Sequence, residues 1–271
     1  MNEIITVLDN MRLKGNYNLP EGGVIIGNEW LKQTRNVIKK CALTTRITRK
    51  AIATAVQEKI NLIITVIPPF FISEGLMKIH DIQYEFLKMI MQNDIAIYSL
   101  GKQWLWADYG GYDYFLKLLT YEYSTKEEVQ YQNQIGTEEQ LYGRVGEAKE
   151  KKTFEELLSV LKQFADQRCI FIGYTRTPVP KIAIFNEILH EKAIFEIKEN
   201  LDIEALIVGD ISYDALLLAQ QIKLPLVILG NRVLENIIIG NIRRKILEEL
   251  TIDLPELVTI KQDEIGSALQ E

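Results

Sequence analysis

The chain has 271 residues, 47% of them hydrophobic and 25% charged, with a formal net charge of −6. That acidic balance disfavours a nucleic-acid groove, and no apolar run reaches the roughly 20 residues that a membrane helix needs. The start, "MNEIITVLDNMRLKG", is amphipathic and has no signal-peptide core, so neither nucleic acid nor membrane is expected as a partner.

In chain order, short strand-like runs alternate with helical patterns. "GVIIG" (Gly23–Gly27) and "KKCALT" come first. Arg46–Lys59 places Ile47, Ile52, Ala51, Ala55 and Val56 on one helical face, with Thr45 as its expected N-cap. Next comes "NLIITVIPPFFIS", a buried strand stopped by Pro68-Pro69, which can neither pair in a ladder nor continue a helix. A predicted helix over Ile79–Met91 and the strand "IAIYSL" follow. Strand, helix, strand at this spacing predicts right-handed crossovers and a largely parallel sheet.

From Tyr121 to Gln140 the chain turns polar, which reads as a boundary or a protruding hairpin, or as a segment at a subunit contact. Thr153 and Glu156 then form a capping box ahead of Phe154, Leu157, Leu158, Leu161 and Phe164. Strands are predicted at "CIFIGY", "KIAIF", "ALIVGD" and "PLVILG", with helices over Ile188–Lys198 and Tyr213–Gln221. Asn231 is read as the cap of a long helix, Arg232–Leu250. The fold class expected is α/β: two α/β lobes with largely parallel sheets. The first lobe is placed at 1–124 and the second at 125–271, with 230–250 returning to the cleft between them.

Motifs that carry known chemistry are missing. There is no P-loop, no Gly-x-Gly-x-x-Gly, no Gly-x-Ser-x-Gly and no Cys-x-x-Cys. Cys41 and Cys169 read as buried strand residues of a reducing compartment, and a cytoplasmic protein is expected. His80 and His190 fall within helical patterns, away from strand ends, and read as ordinary helix residues. Trp104, Trp106 and Tyr109 offer faces on which a flat ligand can stack, but read first as an aromatic-rich loop that covers the core.

One segment, "YGRVGEAKEKKTFEELLSVLK" (Tyr142–Lys162), resembles the Gly-Arg-Ile-Gly stretch and helix of the Ngg-interacting factor three-like (NIF3-like) family, dinuclear metal proteins labelled type-two homologs of GTP cyclohydrolase one. "GVIIG", "CALTTRITRKAIATAVQEKINLIIT", "YSLGKQWLWADYGG", "LIVGDISYDAL" and "VILGNRVLE" resemble the family's other motifs in the same order, across nearly the whole chain. The resemblance implies a NIF3-like architecture, a homo-oligomer of ring-like hexamers, and two metal ions held by histidines and acids. Carried over residue by residue, the family's His-His pair falls on Val66 and Ile67. Its next His falls on Gly101, an Asp on Leu105 or Trp106, and its last His on Asn231. Glu235 alone keeps a ligand identity, while Gly23, Gly27, Gly110, Gly111, Gly143, Gly146, Gly209 and Gly230 are all retained.

Scaffold positions kept and ligand positions lost imply a divergent member without its metal site or any cofactor, self-associating as a binding or assembly protein rather than acting as an enzyme. Two other readings stand beside it. One is a metal-dependent hydrolase with ligands migrated to Asp108, Asp210, Asp214 and Glu235. The other is a metal-free enzyme or small-molecule binder. The candidate cleft residues are Thr65, Lys102, Gln103, Asp108, Asn231 and Glu235.

Overall fold

A computed structural model of the chain describes residues 3–11, 22–27, 31, 38–69, 81–105, 108–132, 139–164, 169–250 and 254–262, with backbone alone at 81–82, 102–103, 123–132, 139–142, 186–187, 196 and 200. The chain groups into two compact units, Met1–Ala107 with Ile239–Glu271, and Asp108–Ile238.

The first unit holds α1 (Glu3–Met11), β1 (Gly23–Ile26), β2 (Lys40–Thr44), α2 (Arg49–Gln57), β3 (Leu62–Thr65), α3 (Asp81–Gln92), β4 (Ala96–Ser99), a 3-10 turn (Lys102–Leu105) and the last strand, β11 (Glu256–Thr259). Its five strands run β1-β4-β3-β2-β11. β11, β2, β3 and β4 pair in parallel, and β1 adds an antiparallel edge. A parallel strand covered on both faces must be apolar throughout, and all four residues of β3 are fully buried. Cys41 sits in β2, fully buried between β3 and β11, and its burial pushes the thiol well above its ordinary range.

Helix α2 starts later than its sequence pattern suggests. The cap is Thr48, whose Oγ1 accepts from the Ala51 N–H at 3.2 Å, and not Thr45. Thr45 is buried, and its carbonyl accepts the Thr65 hydroxyl and the Ile67 N–H, each at 2.9 Å. The helix stops at Lys59, which is left-handed (φ 54°). The Ile60 N–H then reaches back to the Ala55 carbonyl and the Lys59 N–H to Val56, the paired bonds of a Schellman ending.

The second unit contains α4 (Gly111–Leu118), β5 (Tyr121–Gln132), β6 (Glu139–Ala148), α5 (Phe154–Leu161), β7 (Ile170–Ile172), β8 (Lys181–Leu189), α6 (Glu191–Leu201), β9 (Ala205–Ile211), α7 (Tyr213–Gln221) and β10 (Leu226–Ile228). Its six-stranded sheet runs β5-β6-β8-β9-β10-β7. The β8–β9 and β9–β10 pairs are parallel, and the other three are antiparallel. The polar segment from Tyr121 forms the β5–β6 hairpin. Leu206, Val208, Leu226 and their neighbours pack against Ile194, Ile197, Ala215 and Ala219. The capping box of α5 is present: Thr153 N–H donates to Glu156 Oε2 at 2.7 Å, and Glu156 N–H to Thr153 Oγ1.

Two sequence expectations are corrected here. "NEIL" does not begin a helix at Ile188. It extends β8 to Leu189 through a register shift between Phe185 and Ile188, and pairs Ile188 with Asp210. His190 therefore lies at a strand end, as the extended residue before α6. The last helix, α8 (Asn231–Glu249), is not capped by Asn231: the Val233 and Leu234 N–H groups return to the carbonyl of Gly230, which is left-handed (φ 87°), and Asn231 is the first helical residue.

Candidate functional site

The carboxyl ends of β3 and β4 are where an open parallel sheet ordinarily offers ligand groups. Here their polar atoms are spent on the chain's own turns. Thr65 is fully buried, and its hydroxyl donates to the carbonyl pair of Thr45 at 2.9 Å and Ile67 at 3.1 Å. Ser99 Oγ donates to the Val66 carbonyl at 3.2 Å and accepts from the Gly101 N–H. Gly101 holds φ 80°, a conformation for which glycine is suited. Val66 is fully buried and Ile67 is 9% exposed. Leu105 and Trp104 are buried, and among the described residues the Trp104 Nε1 has no hydrogen-bond partner. The side chains of Lys102 and Gln103, and all of His80 and Trp106, lie outside the described residues.

In the second unit the loop ahead of α4 is organised by an arginine. Arg144 is fully buried on β6, and its Nε donates to Asp113 Oδ1 at 2.8 Å. Its Nη2 reaches Asp108 Oδ1 at 2.6 Å and Asp113 Oδ2 at 3.3 Å. Asp113 Oδ2 also accepts the Tyr109 N–H at 2.7 Å, and Tyr109 is left-handed (φ 60°). Burial pushes the Asp113 carboxyl up to about 6, against the pull of Arg144 and of the Tyr109 N–H. The same two acids raise the Arg144 guanidinium, although burial opposes them.

The flanking glycines explain why the strand carries Gly-Arg-Val-Gly. A Cβ at Gly143 would lie 2.4 Å from the Ile184 carbonyl oxygen, and one at Gly146 would lie 2.5 Å from the Leu116 Cδ2. Asp113 and Arg144 were not among the site residues expected from sequence. The signal available was a lone arginine between two glycines, which, once buried, needs an acid to pair with.

Asp108, a cleft candidate and a possible replacement ligand, is thus joined to Arg144, with its side chain 65% exposed. Asp210 accepts at its Oδ1 from the Ile211 N–H, and Asp214 is exposed in the first turn of α7. Glu235 is buried in α8, and the Asn231 Oδ1 is buried with no hydrogen-bond partner among the described residues. Among the described residues, no three His, Cys, Asp or Glu side chains group closely enough to hold a metal ion.

The family model Duf34/NIF3 (NGG1p interacting factor 3) matches residues 2–263. The chain belongs to that family. Solved structures agree on the fold. A Bacillus cereus protein related to NIF3 superposes with TM-score 0.74 at 15% identity, covering 97% of each chain. Reduced HcgD from Methanocaldococcus jannaschii matches with TM-score 0.72 at 20% identity, over 95% of this chain and 94% of that one. A Staphylococcus aureus hypothetical protein matches with TM-score 0.72 at 15% identity, over 97% of each. Identities this low establish the NIF3 α/β fold with its parallel-rich sheets, as expected from sequence, and nothing about activity. No curated protein matches the chain. Among the described residues, no helix is long and apolar enough to cross a membrane.

Proposed function

We propose that this chain is a family member that has lost its dinuclear metal site and serves as a self-associating binding or assembly protein. The observation that supports this most is the burial of Val66 and Ile67 at the end of β3, where the family resemblance puts a pair of histidines. Two branched side chains buried there contribute roughly 1.5–3 kcal/mol each and offer an ion no lone pair. A divalent site needs about three protein ligands per ion, and of the carried-over positions only Glu235 bears a carboxylate. These residues do not fit a metal pair. The acids considered as migrated ligands add little, since Asp108 is held by Arg144 and Asp210 by its own strand.

Elemental analysis of protein purified without chelator tests the reading. Far less than one zinc, manganese or iron per chain is expected. EDTA should leave the melting temperature unchanged, because an ion bound only to the folded state would raise it by mass action. Stoichiometric metal that disappears in Glu235→Gln would overturn the proposal in favour of a metal-dependent hydrolase. A second reading, small-molecule binding, is favoured by two buried polar atoms with no partner among the described residues, Trp104 Nε1 and Asn231 Oδ1, since a buried polar atom ordinarily has one. Thermal-shift screening against small polar metabolites separates it from assembly alone.

A further inference from the structure

Six non-glycine residues among those described hold a left-handed backbone. Five of them, Lys59, Asp94, Thr120, Asp202 and Lys223, each follow a helix, where a left-handed residue closes the last turn. Tyr109 (φ 60°) does not: it precedes a helix, two residues ahead of α4. Helix termination therefore does not account for it.

What holds Tyr109 in place is the buried ion cluster. Its N–H donates to Asp113 Oδ2 at 2.7 Å, and Arg144 donates to both oxygens of that carboxylate. A glycine would keep this bond, since only the backbone N–H takes part, and would adopt the left-handed conformation without strain. Glycines do follow at Gly110 and Gly111, yet position 109 carries a ring. The ring is not spent on the core, because Tyr109 is 65% exposed. Backbone strain that the surroundings over-determine clusters at ligand clamps. Here the strained residue is an aromatic one, set at the surface on a rigid base.

The preceding residue narrows the chemistry. Asp108 also stands mostly in water, with its Oδ1 held by Arg144 at 2.6 Å. The face of a tyrosine takes a flat ring, and an ionised carboxylate only accepts hydrogen bonds, so it selects a ring with an N–H donor. A phosphate backbone is disfavoured beside that carboxylate and by the chain's net charge of −6. A free nucleoside fits this turn better than a nucleic-acid strand.

We propose that Tyr109 is a stacking platform for a flat nitrogen heterocycle bearing an amino group, the chemistry of a cytosine or adenine ring, with Asp108 as the acceptor for that amino group. The proposal rests on the small-molecule reading above and gives it a surface and a ligand class.

Saturation-transfer NMR titrations of the full chain with cytidine, adenosine and uridine test it. Cytidine and adenosine are expected to bind. Uridine, which has a carbonyl where cytidine has its amino group, should bind several-fold more weakly. Tyr109→Leu should weaken cytidine by about 5–150-fold, the worth of one base stacked on an aromatic ring, while Tyr109→Phe keeps it. Asp108→Asn should erase the preference for cytidine over uridine. Tyr109→Gly should abolish binding and yet raise the melting temperature by about 2–4 °C, through relief of the left-handed strain. A ring kept for packing alone would make Tyr109→Gly lower the melting temperature, and that result rejects the inference. Cytidine binding that survives Tyr109→Leu rejects it too. If no nucleoside binds but the metabolite screen finds another ligand, small-molecule binding stands and the Tyr109 platform falls. If nothing binds in either experiment, both fall.

Discussion

Replacing Arg144 by methionine tests whether the buried ion cluster holds the second unit together. The substitution keeps most of the side chain's volume and removes its charge. It strands Asp113, only 3% exposed, with the Tyr109 N–H as the remaining donor described above. Stripping one partner from a buried pair costs about 3–5 kcal/mol, against a total stability of roughly 5–15 kcal/mol for a domain. Asp108 adds little to this figure, because its carboxylate is mostly in water and regains hydration. Urea denaturation followed by far-ultraviolet circular dichroism is the appropriate assay, since Trp104, the tryptophan among the described residues, lies in the other unit.

The pH dependence gives a second readout. Asp113 binds its proton more tightly folded than unfolded, being raised from 3.8 to about 6. Its contribution is therefore fully present below 3.8 and is lost as pH rises through about 6. Without Arg144 the carboxyl is raised further, so the deficit of Arg144→Met should be largest at neutral pH and shrink on acidification. Adding Asp113→Asn removes the stranded charge while keeping an acceptor for Tyr109, and should restore much of the loss. A deficit under about 1 kcal/mol at neutral pH, the size of an exposed pair, would refute the reasoning, as would one that does not change with pH.

Two further outcomes follow from the backbone. Gly143→Ala should cost more than Gly146→Ala, because the first methyl meets the Ile184 carbonyl while the second meets the end of the Leu116 side chain, which can rotate away; melting temperatures order the two, and equal losses would contradict the distinction. Lys59→Gly should stabilise by about 0.5–1 kcal/mol, because a lysine held left-handed at the end of α2 is strained by more than glycine's added unfolded-state entropy; a loss of stability in denaturant melts would show that the lysine side chain is needed there.

The elements most legible in the sequence were those fixed by local chemistry. The Thr153–Glu156 box, the apolar stripe behind it and the alternation of strands and helices are all in the fold. Errors came where tertiary contacts chose among local equals. Three threonines stand near the start of α2, and Thr44 and Thr45 are drawn into the sheet's end, so Thr48 becomes the cap. Helix ends were obscure because Lys59, Asp94 and Lys223 occupy left-handed positions that usually advertise themselves as glycine. At α8 a glycine does precede the helix, and the more obvious cap residue beside it became part of the first turn. The Arg144 cluster escaped sequence reading because its partners lie 31 and 36 residues away, and no period connects them.

The burial of Cys41 gives the first unit a built-in clock. A reagent must meet a deprotonated thiol, and this one is both inaccessible and pushed towards its protonated form between β3 and β11. Alkylation at that position can proceed only as fast as β2 is released from β3 and β11, so its rate measures how often that sheet comes apart under native conditions. Cys169, half-buried and next to an exposed strand edge, should react far sooner. A single labelling time course read by mass spectrometry then separates the opening of one unit from the surface chemistry of the other, with no residue changed.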